Sequence, residues 1–308
     1  MDFEKTNRNW TINFSEPKGE AGLLGPESVS WRVWKNPIVL NIGSIAAVLY
    51  QFAEPRVRDG VWENTVFETD PIGRGRRTAA AALAGVFAPA SEARRIIEFI
   101  TRMHGKVQGH TDKGVPYRAL DSDLLDWVGA TGVYLSLKAY EQFVAPVSAE
   151  EELEYFAEQA KIIEIYRSKN PILSVKDFEQ MMYSLAPTFE SSEIVNKYLS
   201  LISTVSPGRG VPQAVQQTMV KAAVSLLHPI IHESLELGTT YELTDSEREM
   251  IASIGYQRES EPDTHGIPAQ ASVRMGLPAD FLWQTPSRQQ ELLKGLASYD
   301  RNASGVAE

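Results

Sequence analysis

Apolar side chains recur every three or four residues along almost the whole chain, which is the spacing of one face of an α-helix. The clearest stripe runs along 93–107 and consists of Ala93, Ile96, Ile97, Ile100, Met103, His104 and Val107. Its helix is predicted to begin after Ser91, a good N-cap, and to end near Gly109. Further helices are predicted at 38–52, 78–87, 121–143, 150–166, 174–185, 191–205, 212–235 and 245–254. Residues 239–243 are the one modest strand candidate, so the sequence predicts an all-α fold.

These helices are predicted to form a single large helical domain at residues 21–296. Residues 1–20 are predicted to be a polar N-terminal arm, and 297–308 a mobile C-terminal tail. Residues 257–269 are polar and contain Pro and Gly, which is typical of a loop.

The charge balance limits the partners that the chain can have. The formal net charge is −10, from 30 basic and 40 acidic residues. Nucleic acid or an anionic membrane needs a compensating basic face, so both are disfavoured as partners.

Cysteine is absent, which excludes thiolate nucleophiles, iron–sulfur clusters and thiolate-ligated haem. The longest apolar run, 38–53, is interrupted by three polar residues and is short for a membrane span. The N-terminus has no basic segment followed by an apolar one, as a secretion signal would. A soluble, cytoplasmic protein is expected.

His104 is the first candidate functional residue. An imidazole in an apolar stripe faces the core, where it must be hydrogen-bonded or must ligate a metal. A core histidine bonded to a neighbouring carbonyl and a metal ligand are both compatible with the stripe.

The densest basic cluster lies at residues 70–78, in the segment Asp70-Pro71-Ile72-Gly73-Arg74-Gly75-Arg76-Arg77-Thr78. The two glycines could present backbone N–H groups to an anion. If a helix already begins near Gly73, then Arg74, Arg77 and Thr78 lie on one face, and two guanidiniums there suit carboxylates or phosphates. The alternative is a solvated basic helix start.

Other polar positions have simpler explanations. His228 and His232 have the spacing of a helix-borne metal site, but Pro229 disturbs the turn between them and a partly buried helix surface is favoured. Asp121, Asp123 and Asp126 resemble part of a calcium loop but are better explained by N-capping. His110 and His265 are expected in exposed loops.

Glu54 follows an apolar helix and precedes Pro55, which puts a carboxylate at the edge of the core. Helix termination before proline is one explanation of this position, and proton transfer is the other.

Several of these segments together resemble the rubber oxygenase (latex-clearing protein) and ER-bound oxygenase catalytic domain family. The motifs that carry the resemblance are Gly43-Ser44, Pro55-x-Val57-x-x-Gly60-Val61, Asp70-Pro71-x-x-Arg74-x-x-Arg77-Thr78, Met103-His104-x-x-Val107-x-Gly109, Gly114-x-Pro116-Tyr117-x-Ala119-Leu120-Asp121 and Leu124-Leu125-x-Trp127-Val128-x-Ala130-Thr131. They occur in order over about a third of the chain.

The resemblance implies an all-α fold of the rubber-oxygenase type that holds a b-type haem. By position, His104 would be the axial iron ligand, with Arg74 and Thr78 beside the haem. Arg77 stands where relatives can have lysine, and a guanidinium stays protonated, so it is interpreted as a partner of a haem propionate or of a substrate acid.

Three departures from the family pattern affect the expected site. Many relatives have histidine where this chain has Glu54, His-Ser where it has Asn64-Thr65, and histidine where it has Gly129. The pocket is thus expected to differ from theirs while His104 is kept, which changes the expected substrate more than the fold.

The leading hypothesis is a haem-b-dependent oxidoreductase, an oxygenase that uses O₂ on an apolar small molecule. In it, His104 binds the iron, Arg74, Arg77 and Thr78 bind the cofactor, and Glu54 and Asn64 transfer protons or orient the substrate. The alternatives are a cofactor-free acid/base enzyme on the same scaffold and a non-catalytic protein that binds haem or a small molecule.

Overall fold

Helices build most of the described protein, so the predicted all-α fold is confirmed. The computed structural model describes residues 12–64, 67–204 and 211–296. Its helices are α1 Val29–Trp34, α2 Ser44–Ala53, α3 Pro55–Glu63, α4 Pro71–Phe87, α5 Ala90–His104, α6 Ser122–Phe143, α7 Ala149–Ile165, α8 Val175–Leu185, α9 Glu193–Thr204, α10 Gln213–Val224, α11 Pro229–Ser234, α12 Asp245–Ser260, α13 Ile267–Arg274 and α14 Pro286–Gly295. A π-helical turn, Val39–Gly43, leads directly into α2.

The strand prediction at 239–243 is wrong, because these residues form turns. The strands of the described chain are β1 Gln108–His110 and β2 Pro116–Arg118, which pair antiparallel. Strands of three residues are too short to show the alternating pattern on which a sequence prediction depends.

Helix α4 begins seven residues earlier than the predicted helix at 78–87, at Pro71. The Asp70 side chain accepts a hydrogen bond from the Gly73 N–H at 2.9 Å, and Pro71 suits a first helical turn because it has no N–H to satisfy. Two consequences follow. Arg74, Arg77 and Thr78 do lie on a helix, and the glycine turn is no open anion cradle because Asp70 already occupies the Gly73 N–H.

Helix α5 begins and ends differently from the prediction. Its N-cap is Pro89, and the Ser91 N–H and hydroxyl both donate to the Glu20 carboxylate, at 2.7 and 3.0 Å. The helix ends at His104 because the chain turns there into β1. The apolar stripe also ends early, since Met103 is 47% exposed.

The segments after residue 205 were predicted least accurately. The helix expected at 212–235 breaks before Pro229, and the His228 Nδ1 accepts a hydrogen bond from Ile230 N at 3.2 Å as the N-cap of α11. Helix α12 continues to Ser260, so part of the loop expected at 257–269 is helical.

The long helix α6 lies at the centre of the core and packs against α2, the π-helical turn, α8 and α12. Two glycines allow this close packing. A Cβ at Gly43 would lie 3.0 Å from the Leu135 carbonyl oxygen, and one at Gly255 would lie 2.1 Å from the Phe143 carbonyl oxygen. Both contacts are to the backbone of α6, so no side-chain rotation would relieve them.

The described part of the N-terminal arm, residues 12–20, is not simply polar as predicted. Ile12 and Phe14 are buried, and the buried Arg274 guanidinium donates to the carbonyl oxygens of Phe14 and Phe87 at 2.8 and 2.7 Å. The same side chain donates to the Glu20 carbonyl at 3.0 Å, so α13 holds the arm against the core. Residues 1–11 of the predicted arm and the predicted tail at 297–308 lie outside the described residues.

Among the helices of the described residues, none combines the length and the apolar character that crossing a bilayer requires.

Candidate functional site

A cavity of about 890 Å³ lies between the π-helical turn with α2, the helix α4, and the connection from α12 to α13. The arm contributes Ile12 and Phe14 to its wall, and α9 contributes Tyr198 and Ile202. Its volume is within the range of about 300 to 1,000 Å³ that is usual for small-molecule sites. Most of its wall is aliphatic or aromatic, which suits an apolar ligand.

Arg74 is the charged residue at the centre of the predicted site. It lines the cavity, and its guanidinium carbon lies 5.2 Å from the centre of the Phe67 ring. Burial and the neighbouring Arg77 lower the pKa of Arg74. No carboxylate of the described residues forms an ion pair with Arg74, so a half-buried positive charge lines the cavity without a counter-ion.

His104 is half-buried at the end of α5 and lies within electrostatic reach of Arg74. Burial, and then the charge of Arg74, lower the pKa of the imidazole below its ordinary value of 6.5. No side chain or carbonyl of the described residues is hydrogen-bonded to its ring, so the bonded core histidine that the sequence left open is not found there. His104 itself does not line the cavity. Arg74 connects His104 to the cavity, because Arg74 lines the cavity and its charge acts on the His104 ring.

Thr78 and Arg77 have different surroundings, although they share a helix face with Arg74. Thr78 lines the cavity, accepts a hydrogen bond from the Arg74 guanidinium and donates to the Arg74 carbonyl at 3.1 Å. The Arg77 guanidinium pairs with Asp70 at 3.3 Å and does not line the cavity. Thr78 therefore orients Arg74, whereas Arg77 stands at the outer side of the helix start.

Glu54 and Asn64, the two predicted proton-transfer residues, lie at the two ends of α3 and outside the cavity wall. Glu54 is 1% exposed, caps α3 by accepting from Arg56 N at 2.9 Å, and forms an ion pair with the Arg56 side chain. The Asn64 side chain donates to the Gly60 carbonyl at 3.0 Å. Both side chains thus hold local structure.

The other departures from the family pattern lie away from the cavity or outside the described residues. A Cβ at Gly129 would lie 2.8 Å from a methyl carbon of Ile163 on α7. The glycine therefore allows α6 to pack closely on α7. Thr65 lies outside the described residues.

Sequence reasoning did not assign most of the polar side chains of the cavity wall to the site, among them Gln51, Ser44, Gln216 and Arg76. Gln51 lines the cavity and donates to the Thr131 hydroxyl at 2.9 Å, and Ser44 follows the π-helical turn. Gln216 is 6% exposed, and its Oε1 has no hydrogen-bond partner among the described residues. The Nε of Arg76 also has no hydrogen-bond partner there. Ser44 belongs to a family motif and could have been found by that signal; the others could not, because only the tertiary fold brings them to one cavity.

The remaining metal candidates do not form a metal site from the described residues. No group of three or more His, Asp or Glu side chains there could hold an ion. Asp126 does not cap its own helix as predicted, because its carboxylate accepts four hydrogen bonds from the segment Ser168–Asn170. His110 is exposed as predicted but lies in β1, and the exposed His265 lies at the cavity.

An all-α fold around an apolar cavity, with a half-buried arginine that has no counter-ion at its wall, is suited to binding a small molecule. The chain belongs to the family described as "ER-bound oxygenase mpaB/B'/Rubber oxygenase, catalytic domain", whose model matches residues 31–253. The predicted resemblance is confirmed, and the protein is an enzyme of oxygenase type. No curated protein and no solved structure matched the chain.

We expect the His104 ring to titrate below pH 6.5, and Arg74→Gln to raise its pKa because that variant removes a neighbouring positive charge. Because the pKa of His104 is lower in the folded protein than in the unfolded protein, the unfolded protein binds the proton more tightly. The contribution of His104 to stability is therefore present above pH 6.5 and is lost as the pH falls toward the folded pKa. Titration of the ring by NMR measures both values. Arg102→Gln, which removes an exposed guanidinium from the same helix, is the control; an equal shift in both variants would contradict the role of Arg74.

Proposed function

We propose that the protein is a haem-b-dependent oxygenase that uses O₂ on an apolar small molecule. The proposal is carried by two half-buried groups: a His104 ring with no hydrogen bond to the described residues, and Arg74, which lines an apolar cavity and has no counter-ion there. The site thus offers a neutral nitrogen donor within electrostatic reach of a positive charge.

The donor set suits haem better than a protein-bound iron centre. A non-haem iron oxygenase usually needs two histidines and a carboxylate, and the described residues contain no such cluster. Haem would need only one donor from the protein, and His104 would supply it. The low pKa of His104 keeps the imidazole neutral, as ligation requires.

The acidic groups of haem b have partners of opposite charge near the cavity. Arg74 would bind a propionate directly, with its guanidinium oriented by the Thr78 hydroxyl. Arg77 would contribute a second positive charge at the start of α4, where it now pairs with Asp70.

When bound, haem would supply the iron that activates O₂. The residues of this chain would bind and position its partners. His104 would hold the iron through its neutral ring, while Phe52, Phe67 and Ile45 would bind the apolar substrate and exclude water from the cavity.

Glu54 and Asn64 stay proposed positions for proton transfer or substrate orientation. Because Glu54 is paired with Arg56 and Asn64 is bonded to the Gly60 carbonyl, we expect their replacement to affect turnover less than that of His104.

Titration of the purified protein with hemin tests the proposal by absorbance. Stoichiometric uptake with a sharp Soret band is expected for the wild type. His104→Ala should lose the histidine-ligated band and bind hemin at least about 10- to 100-fold more weakly, since even changes around a metal ligand have that effect. The matched control is His110→Ala, which removes an exposed ring from β1.

Two results would contradict the proposal. If the wild type takes up no hemin, or if His104→Ala and His110→Ala bind it equally well, His104 is not the ligand.

A separate measurement distinguishes an oxygenase from a protein that only binds haem. It is the oxygen uptake by the haem-loaded wild type in the presence of a reductant and apolar substrates.

A further inference from the structure

Four arginines of the described chain have a buried side-chain nitrogen without a hydrogen-bond partner, and Arg76 is the one among them whose guanidinium makes no other hydrogen bond or ion pair to the described residues. It lies on α4, lines the cavity, and has its Nε buried without a hydrogen-bond acceptor. Arg32, Arg58 and Arg274 also have a buried nitrogen without a partner, but each of them donates elsewhere to a carboxylate or a carbonyl. Since nearly all buried N–H groups in proteins are hydrogen-bonded, an acceptor is missing beside Arg76.

The charges of the cavity wall favour an anion as that acceptor. The chain carries a formal net charge of −10, yet the wall contains more cations than acids. The cations are Lys35, Arg74, Arg76 and Arg258, and the acids are Glu261 and Asp263. Of the cations, Lys35 forms an ion pair with Glu259 at 3.0 Å. Of the acids, Asp263 already accepts hydrogen bonds from the backbone N–H groups of His265 and Gly266. The remaining arginines have no carboxylate partner among the described residues.

We propose that the cavity binds an apolar carboxylic acid and that Arg76 binds its carboxylate. A guanidinium matches a carboxylate with two parallel hydrogen bonds, and the Nε that lacks an acceptor is one of the donors used in such pairs. The aliphatic and aromatic wall takes the apolar body of the ligand. The proposal rests on the cavity being the substrate site of the proposed oxygenase, and it names the substrate class.

Calorimetric titration of the haem-free protein with decanoate and with 1-decanol tests the assignment. Both compounds have the same chain, and only decanoate has the carboxylate. Arg76→Gln is expected to weaken decanoate binding about 10- to 100-fold and to leave 1-decanol binding unchanged, because a charge-assisted pair is lost. Arg76→Lys should restore part of the affinity. Arg94→Gln, which removes an exposed guanidinium of α5 that does not line the cavity, is the control, and circular dichroism checks that each variant is folded.

A haem propionate has the same chemistry as a substrate acid, so a second titration separates the two sources. Hemin and its dimethyl ester are compared on the wild type and Arg76→Gln. If the variant binds decanoate normally but loses its preference for hemin over the ester, Arg76 belongs to the haem site and the substrate assignment is overturned. Failure of the wild type to bind decanoate, or equal binding by both proteins, also overturns it. Because decanoate is tested without haem, these outcomes do not depend on whether hemin binds.

Discussion

Replacement of Asp59 by alanine is expected to lower the free energy of unfolding by about 3–5 kcal/mol, the usual effect of removing one partner from a buried ion pair. Arg58 and Asp59 are each 2% exposed, and the Arg58 Nε lies 2.8 Å from the Asp59 Oδ1. Without Asp59, the Arg58 guanidinium keeps only Glu190, at 3.1 Å, and Glu190 is already shared with Lys113. A nearly unpaired charge would then remain inside the protein.

Urea denaturation measures the effect, and two further variants show its cause. Asp112→Ala removes an exposed carboxylate from a nearby turn and should change stability by less than about 1 kcal/mol. A double replacement, Arg58→Met with Asp59→Leu, removes both charges and should be less destabilising than Asp59→Ala. If Asp59→Ala unfolds at the same urea concentration as the wild type, the pair is not important for stability.

Asp126→Ala is the second large effect that we expect, about 3 kcal/mol of unfolding free energy, because hydrogen bonds to a charged group are worth about 1.5–3 kcal/mol and their buried donors would lose their acceptor. The carboxylate accepts from the Ser168 hydroxyl at 2.6 Å, from the backbone N–H groups of Lys169 and Asn170 at 2.8 and 3.2 Å, and from the Asn170 amide at 2.9 Å. It thus ties the connection between α7 and α8 to the central helix.

The pH dependence of this effect has a defined sign. Burial acts to raise the pKa of Asp126, but the hydrogen bonds from Ser168, Asn170 and Lys169 outweigh it and lower the pKa below its ordinary value of 3.8. The contribution is therefore complete above the unfolded pKa and is lost as the pH falls through the folded pKa. The stability difference between the wild type and Asp126→Ala should therefore stay constant well above pH 3.8 and shrink as the pH falls below that value. Asp123→Asn, which changes the exposed carboxylate three residues earlier, should show only the small effect of a surface ion pair.

The helical fold could be predicted from the sequence because apolar spacing and caps act within a few residues. A capping box of Ser148 and Glu151 begins α7, and Asp70 with Pro71 begins α4 by the same local rules. The break before Pro229 was missed because the apolar spacing continues on both sides of it.

The candidate site could be predicted only in part, for the same physical reason. Arg74 and Thr78 share a helix face, which the sequence predicts only on the condition that the helix begins near Gly73 and not at residue 78. The link between Arg74 and His104 depends on the family resemblance. Glu54 is a candidate because it precedes a proline, but in the fold its side chain pairs with Arg56. Arg76, Gln216 and the acceptor role of Asp126 depend on contacts between distant segments, which no local pattern contains.

The way in which Arg274 holds the N-terminal arm has a consequence for the order of events during synthesis. Ile12 and Phe14 form one part of the cavity wall, while residues 258–270 and Trp283 form another, and the Arg274 side chain bonds to the Phe14 carbonyl across 260 positions of the chain. While the ribosome is still translating the segment before α13, the cavity lacks one side and its arm has no anchor. We therefore expect the cavity to enclose a small molecule completely only after α13 and Trp283 have been synthesised and have folded onto the arm.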